Sequence, residues 1–215
     1  MEIYREGHSE NPEEDPDDLS EDCEGRNEEI SPSSVFRSIL LIQSAVLVVA
    51  ILWGVFRKIH WWTSLIFDYS IFWGMLLGLV LALLNQGAYQ IARKFKSGNI
   101  EWVLSQVFYP LFKNMRIFEA VLISLISGFC EESLFRGVLQ HEWGVLISSL
   151  IFGLLHTGDR RLITSGIWAV LSSVILGYSY VVSGNLLIPI SAHAVNNVFG
   201  IVYVRYFYRP PQAHY

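Results

Sequence analysis

Residues 38–56 read SILLIQSAVLVVAILWGVF, an uncharged run. A membrane-spanning helix needs about 20 predominantly apolar residues, and this stretch predicts one. Outward from it, further apolar runs cover about 69–88, 117–140, 145–157, 163–182 and 186–207. The 215-residue chain is 52% hydrophobic and only 16% charged, whereas soluble domains carry roughly 25% charged residues. The predicted fold is therefore all-α: a polytopic membrane helix bundle of about six transmembrane helices, with both termini on one side.

The charge is unevenly spread. Residues 1–30 hold 13 of the 20 acidic residues and only two of the bases, Arg5 and Arg26. Residues 1–34 are expected to form an acidic disordered tail, because they cannot bury enough apolar surface to offset the ordering entropy. The tail lacks the basic start and apolar run of a signal peptide. Residues 35–116 are expected to supply two transmembrane helices and an interfacial segment. In that segment Ile100, Val103, Val107 and Leu111 fall near one helical face, and Pro110 is expected to end the helix. Residues 117–208 supply a four-helix membrane core. Gly74 and Gly78 form a G-x-x-x-G, which predicts close approach of a neighbouring helix.

Lysine and arginine near the span ends set orientation. In the six-span reading one side receives Arg37, Arg93, Lys94, Lys96, Lys113, Arg116, Arg160, Arg161, Arg205 and Arg209. The other receives Arg57 and Lys58. An integral membrane protein with both termini cytoplasmic is expected. Membrane lipid is then an obligatory partner, and no basic patch points to nucleic acid. The two cysteines, Cys23 and Cys130, exclude a disulfide-built fold, and Cys130 reads as a small buried hydrophobe.

Ionisable residues inside a bilayer are costly and mark function by default. Here they are Glu131, Glu132, Arg136, His156 and His193, with Asn197 as a polar companion. Helical rise from the turns near 141–144 and 183–185 puts Glu131, His156, His193 and Asn197 roughly 12–18 Å from one face. Three different spans thus bring polar groups to one level, near the midplane of a core about 30 Å thick. Glu132 and Arg136, four apart, share a helix face and can pair. Glu131 is rotated about 100° from Glu132 and is not neutralised by that arginine. His193 and Asn197 are also four apart. A carboxylate and a histidine can deprotonate water, and a histidine with an amide can donate to an oxyanion. The set suits amide hydrolysis without a covalent intermediate. The sequence contains no G-x-S-x-G, H-E-x-x-H, phosphate loop or dinucleotide fingerprint.

Glu131-Glu132-Ser-Leu-Phe-Arg136 resembles the E-E-x-x-x-R motif of the CPBP family, the CAAX protease and bacteriocin-processing membrane proteins. Phe152-Gly-Leu-Leu-His156 resembles its F-x-x-x-H motif, and His193-Ala-Val-Asn-Asn197 its H-x-x-x-N motif. The resemblance spans about 117–208. It implies a glutamic intramembrane endopeptidase similar to the Ras-converting CAAX prenyl endopeptidases, acting on a membrane-anchored or lipidated protein or peptide. It also implies catalytic roles: Glu131 and His156 activate water, His193 and Asn197 form the oxyanion site, and Glu132 and Arg136 support them. No cofactor or metal is expected. Zinc held by two histidines and a glutamate is the chemical alternative. A non-catalytic membrane scaffold or bacteriocin-immunity protein of the same fold is the functional one. A transporter is a third reading, but its expected inverted repeats are not found. Six spans, where eukaryotic CAAX peptidases have eight, separate the chemistry from any commitment to a prenylated substrate.

Overall fold

The computed structural model describes residues 31–95, 98–158 and 160–211. The expected disorder of residues 1–30 lies outside the described residues. Helix α1 spans Pro32–Arg57 and α2 spans Ile71–Lys94. A short α3, Gly98–Val103, runs through a π-helical turn, Leu104–Phe108, into α4, Tyr109–Phe112. Helix α5, Ile117–Glu132, continues through a second π-helical turn, Ser133–Leu139, into α6, Gln140–Leu155. Helices α7, Ile163–Ser183, and α8, Leu187–Tyr206, complete the chain. No strand occurs among the described residues, so the protein is the all-α membrane bundle that its composition predicts.

Among the described residues four helices are long and apolar enough to cross a membrane: Ser33–Arg57, Ile71–Lys94, Arg160–Ser183 and Leu187–Tyr206. The other two expected spans fall on the continuous helical run from α5 into α6. That run is broken at Gly144, whose φ of 77° is a conformation that side chains with a Cβ rarely adopt. The chain folds back there, and the remainder of α6 is short.

Two expectations change. Helix α1 begins at Pro32, ahead of the boundary drawn at residue 35. Proline suits a first helical turn because its missing N–H would be unpaired there anyway. Pro110 does not end the interfacial helix. It sits in the first turn of α4, directly after the π-helical turn, and the chain stays helical to Phe112.

Close packing organises the bundle. Helix α2 lies against α8 through its glycine pair. A Cβ added at Gly74 would lie 2.4 Å from the Ile188 carbonyl oxygen, and one at Gly78 would lie 2.5 Å from that of Ala192. The bundle core gathers Trp61, Phe135, Val138, Leu139, Phe152, Leu186, Leu187 and Ile190 around the second π-helical turn. Outward-facing Leu41, Phe56, Phe72, Leu83 and Val182 stay exposed, as lipid-facing side chains do.

Polar clips hold the ends. Arg57 pairs with Glu142 at 2.8 Å, tying the end of α1 to the region of the Gly144 turn. Asn185 accepts from Ile66 N–H and donates to the Ile66 carbonyl and Ser70 Oγ, joining the α1–α2 and α7–α8 connections. At the opposite end Glu101 of α3 accepts from Tyr208 at 2.7 Å. Burial, with this hydrogen bond and the Glu101 charge, pushes the Tyr208 hydroxyl above the ordinary tyrosine range. Arg161 lies over the Trp102 ring at 4.7 Å and ties the same segment to the start of α7.

Candidate active site

The site is built where α5 passes into its π-helical turn. Residues 132–140 are all buried, the longest such run among the described residues, and Glu131 stands at its edge. A π-helical turn adds one residue to the local repeat and re-aims the side chains after it. Glu132 and Arg136 are both fully buried, and Glu132 Oε2 lies 2.9 Å from Arg136 Nε. The contact is ionic and lies off the line of a well-aligned hydrogen bond. Arg136 Nη2 donates to the Ser173 carbonyl at 2.9 Å and to Ser173 Oγ at 3.1 Å, both on α7. An unpaired cation here would be very costly, and these partners compensate it.

The other Glu132 oxygen, Oε1, lies 2.7 Å from His193 Nδ1. Nδ1–H donates to the carboxylate, which fixes the ring of His193 and leaves Nε2 for other chemistry. Nε2 lies 3.9 Å from Glu131 Oε2. Glu131 therefore belongs to the same cluster from a different direction, as its rotation from Glu132 predicts. Its side chain keeps 14% exposure, whereas that of Glu132 has none. The more accessible carboxylate is the one without an arginine.

Glu131 Oε1 accepts a hydrogen bond from Gln43 Nε2 of α1 at 2.6 Å. Sequence reasoning missed this residue. The signal was present, since Gln43 is the one amide side chain in the run 38–56. Asn197 lies one turn beyond His193 on α8, and its Nδ2 donates to Ser127 Oγ at 3.0 Å. Ser127 precedes Glu131 by one turn on α5, so Ser127 and Glu131 face Asn197 and His193 across one helix contact. Ser127 was also missed, because one of three serines in a span reads as packing.

His156 is more loosely joined. Its Nδ1 lies 2.7 Å from the Phe152 carbonyl oxygen, and its ring stacks on Phe152 with centroids 4.4 Å apart. Only an N–H satisfies that carbonyl, so Nδ1 donates, and in the neutral ring Nε2 carries the lone pair. Phe152 also meets His193 edge-on at 6.1 Å and lies under Arg136 at 5.7 Å. The motif phenylalanine is thus the common wall of all three motifs. His156 itself is exposed, and among the described residues no hydrogen bond or ion pair joins it to Glu131. The polar partners of Glu131 are Gln43 and His193, not the expected His156.

Among the described residues no group of three or more His, Cys, Asp or Glu side chains is arranged to hold a metal ion. The zinc arrangement of two histidines and a glutamate is not assembled in this geometry. Cys130 is buried and unpaired, as its place in an apolar run predicts.

Residues 113–199 match the family model for type II CAAX prenyl endopeptidase Rce1-like proteins. That interval contains all three motifs, and the resemblance to the CPBP family stands on it. The chain is similar to YpbD of Bacillus subtilis (strain 168), an uncharacterized protein, with 36% identity over 85 residues. The alignment covers 40% of this chain and 45% of that protein. No solved structure matches the chain.

Proposed function

We propose that this integral membrane protein is an intramembrane endopeptidase, hydrolysing a peptide bond of a membrane-anchored or lipidated protein or peptide with an activated water. The observation that carries this is the approach of Glu131 Oε2 to His193 Nε2 at 3.9 Å. That distance is too long for a direct hydrogen bond and suits one water between the two groups. The family match over 113–199 supports the same reaction class.

In this reading Glu131 takes a proton from the water, and the water oxygen attacks the substrate carbonyl carbon. His156, with its basic Nε2, is the second group that can assist that proton transfer. The carbonyl oxygen becomes an oxyanion. It accepts from the second N–H of the Asn197 amide and from Nε2–H of His193 in its imidazolium form. Transfer of the proton from Glu131 to the leaving nitrogen then lets the C–N bond break, giving a carboxylic acid and an amine, and the acid proton passes to the amine. Glu132 and Arg136 do not touch the reacting atoms. Glu132 anchors His193, and Arg136 balances the charge of Glu132.

Place in an apolar bundle and the family resemblance both support a membrane-associated substrate. Groups at mid-depth of a helical bundle act on a bond that lies within or beside the bilayer, such as a CAAX-like C-terminus or a C-terminal sorting tail. Both termini of the enzyme are assigned to the cytoplasm from the lysine and arginine asymmetry. The test compares membrane-anchored proteins in cells with the chain, without it, and with Glu131→Ala. A protein shortened only by the chain with Glu131 intact is the predicted result. No such protein under any condition would remove the protease reading and favour the scaffold.

A further inference from the structure

Gln43 lies on α1, outside the matched residues 113–199, and is 7% exposed. Its Nε2 donates to Glu131 Oε1 at 2.6 Å, while its own Oε1 is buried without a hydrogen-bond partner. Glu131 is thereby divided between two neighbours. One oxygen is held by α1, and the other is turned toward His193 Nε2 at 3.9 Å.

We infer that Gln43 is a positioning residue for Glu131, so that the first transmembrane helix completes the catalytic machinery of the α5–α8 core. The inference rests on the protease reading proposed above. Its chemistry is direct. An ionised carboxylate has only acceptors, so an amide N–H fits one oxygen and leaves the other to receive a proton. A carboxylate free to rotate would spend part of its time turned from the water, and small misplacements of a reacting group have large rate effects. A glutamine serving only as glue between α1 and α5 is better placed with both ends of its amide paired. Here the carbonyl end is buried without a partner, so the one polar contact of the amide is the carboxylate of Glu131.

The experiment uses the full chain in detergent, acting on the membrane protein whose shortening depends on Glu131. Gln43→Met keeps the length of the side chain and removes both polar ends. It should lower kcat about 10- to 100-fold while KM stays within about twofold, with thermal unfolding close to that of the unaltered chain. Gln43→Glu sets a second carboxylate against Glu131. The groups that then face Glu131 are this carboxylate from α1, His193 from α8, and Cys130, Glu132 and Arg136 on its own helical run. Two adjacent carboxylates resist joint ionisation, so the acid limb of the rate profile should move to higher pH. An amide that does not reach Glu131 in the working enzyme leaves that limb in place, and the fall in kcat at constant KM in Gln43→Met separates positioning from simple packing.

Full kcat in Gln43→Met overturns the inference. A loss of kcat that only tracks loss of folded protein, with the Gln43→Glu profile unmoved, also overturns it. Glu131→Ala separates the two claims. If Glu131→Ala is inactive and Gln43→Met is fully active, the protease reading stands and this inference fails. If Glu131→Ala cleaves like the unaltered chain, both fail.

Discussion

Glu132 and His193, sixty-one residues apart, meet at 2.7 Å between Oε1 and Nδ1 inside the bundle. Glu132 holds Arg136 with its other oxygen at 2.9 Å. One buried carboxylate therefore does two jobs, neutralising a cation and fixing a histidine. Substitutions can separate them.

Glu132→Ala should lower stability by about 3–5 kcal/mol, the usual cost of stranding a buried charge, and should abolish cleavage. Adding Arg136→Met removes the stranded cation and should restore much of the stability, because apolar replacement of a buried pair is often neutral. Cleavage should stay absent, since His193 remains unanchored. Thermal unfolding in detergent and a cleavage assay check the two halves. Recovery of activity in the double variant would show that anchoring His193 is unimportant.

Asn197→Ala should lower kcat by about 10²–10³, as loss of one oxyanion donor does, with KM little changed. Ser127→Ala removes the group that orients the Asn197 amide at 3.0 Å and should have a smaller effect in the same direction. Steady-state kinetics on the Glu131-dependent substrate distinguishes them. Equal losses, or a change in KM alone, would contradict the oxyanion assignment.

Gly74→Ala and Gly87→Ala should behave differently. A Cβ at Gly74 meets the α8 backbone at 2.4 Å, whereas a Cβ at Gly87 meets nothing within 4 Å. Backbone cannot move aside cheaply, so Gly74→Ala should destabilise by about 1–3 kcal/mol or more. Gly87→Ala should be neutral. Paired unfolding curves in one detergent measure the difference.

A cysteine placed at Arg160 or Arg161 should react with an impermeant reagent only after the membrane is opened from the cytoplasmic side. This follows from the asymmetry of ten basic residues against two. Labelling of intact cells from outside would reverse the topology.

Local spacing made much of this legible. The G-x-x-x-G of α2 predicts a close helix contact, which α8 makes, and the four-residue spacing of Glu132 and Arg136 predicts their pair. The inequality of the two glutamates also follows, because rotation about one helix axis is a local property. What escaped was long-range or irregular. Nothing local announces that Gln43 reaches Glu131 across 88 residues. The π-helical turns at 104–108 and 133–139 break the regular period on which the reading rests. Pro110 was misjudged for that reason, since a proline directly after such a turn need not end the helix. The direct contacts of Glu131 escaped because an expectation of equal depth does not say which way His156 faces.

The most direct test measures cleavage of the membrane-anchored substrate by the purified chain and by Glu131→Ala, with thermal unfolding recorded for both. The account predicts that Glu131→Ala unfolds close to the temperature of the unaltered chain and produces no cleavage above background. Cleavage by Glu131→Ala at near the original rate would contradict it.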